Sequence, residues 1–208
     1  MKKTNNKGFS LVELIIVIAI MAILAGAIAP ALIKYIDKSR RSNDVSSCKT
    51  IKTAIETALG NESLYEYLTT GGDYAYVYIQ PGKSLAVAAE ENATTTIKIV
   101  GAAADDADIN GKKGSDLKKV AQNQIGSTIG EKSPKLKFKK DPSGKKGGNN
   151  VPKQFVGVIS KAGTVYVYID CSAEGTDMTV ETDASTGEAK VKTGVGYQIS
   201  PNIADEYQ

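Results

Sequence analysis

The chain has 208 residues, with 26 basic against 23 acidic side chains and neither histidine nor tryptophan. The lack of histidine excludes Ser-His-Asp and Cys-His catalysis, histidine-ligated zinc and histidine-ligated haem, and two cysteines alone cannot complete a four-ligand metal site. The net charge of +3 is carried by Lys2, Lys3 and Lys7; from Phe9 onward the charges balance, without the basic excess of a nucleic-acid-binding domain and in keeping with subunits that pack without repelling one another.

The first predicted element is an apolar helix. Leu14 to Ile33 is a run of 20 residues without a charge, amide or hydroxyl. At ~1.5 Å per residue such a helix reaches about 30 Å, the thickness of a bilayer's hydrocarbon core. Glu13 stands directly in front of it. A carboxylate at the centre of a membrane helix costs about 3 kcal/mol, less toward the end, so Glu13 needs a partner. A secretory signal peptide would offer Ala27-Ile28-Ala29 for cleavage, but Pro30 would follow the cut and the run exceeds the usual ~7–15 apolar residues. A plain membrane anchor explains the length and leaves Glu13 without a role.

The stretch Gly8-Phe9-Ser10-Leu11-Val12-Glu13 resembles the prepilin signature of type IV pilins and of the related pseudopilins of type II secretion. A short basic leader ends in glycine, an aromatic follows, glutamate stands fifth from there, and a long apolar helix containing Gly26 and Pro30 comes next. The resemblance covers only this N-terminal segment. It implies that a membrane aspartyl peptidase cuts after Gly8, that Phe9 becomes N-methylated, and that Glu13 pairs with the amino terminus of a neighbouring subunit. A carboxylate and an ammonium in a low-dielectric seam attract strongly and offset each other's desolvation, which would fix the stagger of helices otherwise free to slide. Lys2, Lys3 and Lys7 precede the apolar run, while Lys34, Lys38, Arg40 and Arg41 follow it, so charge alone does not orient the helix. The resemblance places the leader in the cytoplasm, the precursor in the cytoplasmic membrane and the mature protein in an extracellular fibre. Its implied partners are further pilin subunits, a prepilin peptidase, a platform membrane protein and assembly ATPases.

The helical pattern continues to about Leu59, where Gly60-Asn61 provides a stop. Val45, Cys48, Ile51, Ile55 and Ala58/Leu59 form one apolar stripe, opposite Lys49, Lys52 and Glu56. Pro30 removes a backbone hydrogen bond, and with Gly26 four residues earlier it predicts a bend; loosening of this segment in a fibre is what the resemblance adds. Beyond the helix the period changes to two. YAYVYI (74–79), TTTIKIV (94–100), QFVGVIS (154–160) and TVYVYIDC (164–171) read as strands, and 178–193 as a hairpin with its turn in DASTGE. In the irregular stretch 101–153, Ser115 to Ile125 reads as a short helix capped by Ser115, with Leu117, Val120, Ala121 and Ile125 inward. The Gly-, Pro- and Lys-rich stretch 131–150 reads as an exposed loop.

The fold class expected is therefore α+β: a long N-terminal helix, membrane-spanning in its first half, whose second half packs on an antiparallel sheet in a pilin-like lollipop. The expected divisions are a cleaved leader at 1–8, a filament-core helix at 9–33, its amphipathic continuation at 34–60 and a β-rich head at 61–208.

Other candidate sites carry less. Asp106, Asp108 and Asn110 match the first half of a calcium loop, but Leu117 stands where the bidentate glutamate belongs, so a polar turn is the better reading. The lysine-rich loop has one aromatic, Phe138, and no arginine, which serves nucleic acid poorly and suits a solvated loop. Cys48 lies on the helix's inward stripe and Cys171 on a strand face. Either a disulfide staples helix to sheet, or both are buried thiols, the reading preferred here. Gly82-Lys83-Ser84 lacks the first glycine of a phosphate-binding loop, and no catalytic constellation or cofactor is called for. The function expected is a structural subunit of a type IV pilus, not an enzyme, serving motility, adhesion, aggregation or biofilm formation. The alternatives are a pseudopilin or minor pilin of a secretion or competence machine, and a membrane-anchored binding module.

Overall fold

The computed structural model describes residues 8–85, 96–144, 150–173 and 176–208. In chain order the elements are helix α1 (Leu11–Leu59), α2 (Glu62–Thr69), strands β1 (Tyr74–Ile79), β2 (Ile97–Val100), β3 (Asp108–Ile109) and β4 (Lys112–Lys113), helix α3 (Gly114–Ile129), strands β5 (Gln154–Ser160), β6 (Val165–Asp170), β7 (Thr179–Thr182), β8 (Ala189–Thr193) and β9 (Gly196–Ser200), and a 3-10 turn at Asp205–Tyr207. Two compact units divide the chain, residues 1–39 and 40–208, so the division falls within α1. The 49 residues of α1 are helical throughout, Gly26 and Pro30 included.

In the second unit, α1 buries Asp44, Val45, Cys48, Ile51, Ala54, Ile55 and Ala58, the stripe the three- and four-residue spacing predicts with Asp44 and Ala54 added. The helix ends at Leu59, where the Gly60 N–H bonds back to Glu56 and Thr57 carbonyls. Asn61 then opens α2, its side chain accepting from the Leu64 N–H. The sequence reading missed α2, which is only eight residues long.

The main sheet has the order β2-β1-β5-β6-β9, and every neighbouring pair is antiparallel. Alternation sorts its side chains to two faces. Ala75, Val77, Ile79, Ile97, Ile99, Phe155, Ile159, Val165, Val167 and Ile169 share one core with the inward stripe of α1. Gly157 lies among them because α1 comes so close there that a Cβ would overlap Ile55 Cδ1.

The opposite face carries tyrosines, and β7–β8 lies over it. Tyr74, Tyr78, Val156, Val158, Tyr166 and Tyr168 form a second core with Met178, Val180 and Ala189 of the hairpin region. Among the described residues the hairpin pairs its strands with each other and with no strand of the main sheet. Tyrosine hydroxyls tie it down: Tyr78 donates to Met178 O at 2.9 Å, Tyr168 to Ala189 O at 2.8 Å and Tyr76 to Val180 O at 3.3 Å, while Tyr74 Oη and Thr182 Oγ1 are 2.8 Å apart. Each ring thus supplies apolar area to the core and a polar tip to a backbone or hydroxyl partner.

The structure corrects the reading of 101–144 in three places. Helix α3 runs to Ile129, and its N-cap is Lys113 without a side-chain cap bond, so Ser115 is not the cap; the Ser115 N–H goes instead to Asp105 O. Val120 is exposed, and Gln122 takes the buried place beside Ala121, where its amide donates to Ile97 O at 2.7 Å. The stretch after α3 is not simply solvated: Ser133, Leu136 and Phe138 are buried, while the lysines among them at 132, 135, 137, 139 and 140 are exposed. Of the strand expected at 94–100, Thr94 and Thr95 lie outside the described residues, and pairing begins at Ile97.

Candidate functional site

The sequence-predicted processing and assembly residues lie at the start of α1. Gly8, Phe9 and Ser10 precede the helix, and Phe9 is 90% exposed. Ser10 and Glu13 both cap the first turn. The Ser10 N–H donates to Glu13 Oε2 at 2.9 Å, the Val12 N–H donates to Ser10 Oγ at 3.4 Å, and the Leu14 N–H donates to Ser10 O at 3.2 Å. The Glu13 side of this arrangement is that of a capping box, while the Ser10 hydroxyl takes the Val12 N–H one residue before the Glu13 N–H, and Ser-x-x-Glu ahead of an apolar run is the sequence signal that could have found it.

Behind it, no side chain of α1's first half is buried. Ile15, Val17, Ile18, Leu24, Ile28 and Ile33 all stand about half exposed, which for a helix turning apolar sides in every direction means a surface lacking its surroundings. Among the described residues α1 is the helix long and apolar enough to cross a membrane. A Cβ on Gly26 would meet nothing within 4 Å in the single chain, and Gly26 is the residue whose carbonyl loses its helical donor to Pro30.

The second unit holds a buried polar node that sequence reasoning missed. Asp44 is fully buried on α1, and its carboxylate accepts the Lys137 N–H at 2.7 Å and the Phe138 N–H at 3.0 Å. Burial pushes its pKa above the usual carboxylate value, against the pull of those two N–H groups and the nearby lysines. One turn earlier, Arg41 donates to the Glu206 carbonyl at 2.5 Å, and its guanidinium sits 4.5 Å from the centre of the Phe138 ring. Tyr207 meets Phe138 edge-on, with ring centres 6.2 Å apart. The node joins α1, the 131–144 stretch and the chain's C-terminal turn. An aspartate between Asn43 and Val45 in a helix gives no warning of burial, because the two N–H groups that its carboxylate accepts lie far along the sequence.

Cys48 and Cys171 are both buried in the core that α1 shares with the sheet, and both are free thiols. Burial pushes each thiol's pKa up, so neither is a reactive thiolate. Asp108 and Asn110 are used locally. Asn110 and Gly111, with φ of 54° and 76°, form the two-residue turn between β3 and β4. Asp108 Oδ1 accepts the Gly111 N–H at 2.9 Å, and the Asn110 amide donates to Glu66 at 2.9 Å. Asp106 is exposed nearby, and among the described residues no three acidic or cysteine side chains come together as a metal site. Gly82-Lys83-Ser84 is likewise a turn, its Ser84 bridged to Lys132.

The model of the prokaryotic N-terminal methylation motif matches residues 3–29. Over 110 residues the chain is 36% identical to the type IV major fimbrial protein FimA of Dichelobacter nodosus, a match covering 51% of this chain and 70% of that protein. It is 49% identical over 54 residues to fimbrial protein Q of Moraxella bovis, covering 26% of this chain and 34% of that one. It is 34% identical over 65 residues to the type II secretion system core protein G of Klebsiella michiganensis, covering 31% and 46%. Against these last two the match spans between a third and a half of the relative's length. No solved structure matches at comparable significance.

Proposed function

We propose, on the premise that the chain belongs to the type IV pilin family, that it is a structural subunit of an extracellular pilus. Its precursor sits in the cytoplasmic membrane with residues 1–8 as a leader inside. Cleavage between Gly8 and Phe9 by a prepilin peptidase and methylation of the new amino terminus release a subunit that polymerises through 9–33, leaving 34–60 to join the helix to the head at 61–208. Glu13 pairs with the amino terminus of a neighbouring subunit and sets the register. A platform protein and assembly ATPases drive extension, and the fibre serves motility, adhesion, aggregation or biofilm formation.

The observation that carries this reading is the uncovered apolar surface of α1 directly behind Phe9 and Glu13. A helix apolar on all sides is stable in lipid or in a packed bundle of its own kind, and a pilin subunit passes from the one to the other. The similar proteins named for fimbriae support a structural rather than a catalytic role. Similarity to the secretion-system core protein G supports a second reading, a subunit of a secretion pseudopilus.

The test is a mass spectrum of the N-terminal peptide of protein sheared from the cell surface. N-methyl-Phe9 at the terminus is the expected result. An intact Met1, or a start after Ala29, with no fibre in the sheared fraction would overturn the reading. Fibres long enough to shear favour a pilus over a pseudopilus.

A further inference from the structure

The capping box sets Glu13 a conflict. In the single chain its Oε2 takes the Ser10 N–H at 2.9 Å, and the Ser10 hydroxyl takes the N–H of Val12 at 3.4 Å. The opening N–H groups of a helix have no acceptor within the helix. Beside hydrocarbon, where water is scarce, leaving them unpaired is more costly than at an aqueous surface. An unassembled subunit therefore has a local use for the carboxylate that requires no other chain. The same carboxylate is the group that assembly asks to pair with a neighbour's ammonium.

We infer that Glu13 changes partners on assembly. In the free subunit it closes the first turn of its own helix through the Ser10 N–H, and on entering a fibre it turns to the amino terminus of the adjoining subunit. Ser10 is then a positioning residue: its backbone N–H holds the carboxylate at the helix end, and its hydroxyl fixes the turn that keeps the two in reach. The exchange explains how a subunit waits in the membrane without a bare charge in front of its apolar run. It also makes intersubunit pairing a competition, so that an ammonium outbids the internal bond because it brings full charge into a seam of low dielectric. The second half of this inference rests on the assembly reading above; the first half rests on the geometry of the single chain.

The experiment uses the full chain, leader removed, as unassembled protein in detergent micelles and as fibres. Glu13→Gln and Glu13→Ala separate the two roles, because glutamine completes a capping box without charge and alanine does neither. In micelles the Ser10 amide is expected to shift as the Glu13 carboxylate is titrated, and its hydrogen-exchange protection to hold within about twofold in Glu13→Gln but to fall about fivefold in Glu13→Ala. In fibres the wild-type Ser10 amide should lose its micelle chemical shift, and fibre yield should fall for both variants. An Ser10 amide that ignores the carboxylate's titration, or equal protection in wild type and Glu13→Ala, would overturn the internal cap. A Ser10 amide with the same shift in micelles and fibres would overturn the exchange. Loss of the cap in Glu13→Ala with undiminished fibre yield would instead sink the assembly role of Glu13, leaving the cap standing.

Discussion

At the scale of single residues, Asp44 is the most exacting position in the second unit. A fully buried carboxylate is tolerated only when its oxygens are occupied, and here two backbone N–H groups from a stretch more than ninety positions away fill them. Asp44→Asn puts an amide N–H₂ against one of those N–H groups and leaves it unpaired, so the variant should lose about 1–3 kcal/mol of stability in denaturant unfolding of the detergent-solubilised chain. Asp44 also predicts a pH signature. Burial raises its pKa in the folded state, so the folded protein binds the proton more tightly than the unfolded one. Its contribution is fully present below the unfolded value of about 4 and is lost as pH rises through the raised folded value. The stability gap between wild type and Asp44→Asn should therefore narrow as pH climbs from about 4; a gap that widens over that interval would mean the N–H bonds outweigh burial. Nothing in the sequence around Asp44 announces this, whereas the Ser10–Glu13 pair is a spacing that can be read without coordinates.

At the scale of elements, α1 and the strands were legible because their patterns are long or strongly alternating, and the same elements show why other parts were not. One face of β1 reads Ala75, Val77, Ile79 and the other Tyr74, Tyr76, Tyr78, so the strand's existence follows from period two. What covers the tyrosine face does not follow, since β7–β8 is held there by hydroxyl bonds rather than by a strand ladder. Phe138 and Leu136 were hidden by their lysine neighbours, and α2 by its brevity. Two predictions belong here. Gly157→Ala should destabilise the helix–sheet core by about 1–3 kcal/mol, and Ile55→Val should recover part of that loss in a double-mutant cycle, because the added methyl meets the end of the Ile55 side chain. Additive effects in that cycle would show that the close approach is not what requires glycine. The hairpin is expected to come loose in alkali. Burial pushes the pKa values of Tyr76, Tyr78 and Tyr168 above the ordinary tyrosine value, so their contribution to stability is intact below about pH 10 and is lost as pH rises through the folded values. Proteolysis in the 183–188 turn, followed against tyrosinate absorbance, should stay slow near neutrality and accelerate above about pH 10, and Tyr78→Phe, which leaves the Met178 carbonyl without its donor, should accelerate it already at neutral pH.

At the scale of the whole molecule, the sequence divides its labour by hydrophobic pattern. Every residue of the two buried cores comes from Val45 or later, and none comes from the apolar run that fills the first half of α1. The stability of the 40–208 unit should then be independent of the apolar segment, while polymerisation should depend on it entirely. A variant beginning at Lys34 is expected to be soluble without detergent, to unfold in urea within about 0.5 kcal/mol of the full chain, and to form no fibres. Removal of a segment that supplies no residue to either core changes what surrounds the molecule rather than what holds it together, and with 23 basic against 22 acidic side chains from Lys34 onward the freed unit has no strong field to drive association. A large drop in urea stability would mean that residues before Lys34 support the head. Fibres assembled from the shortened chain would place the polymerising surface in the head, and Glu13 would have no part in it.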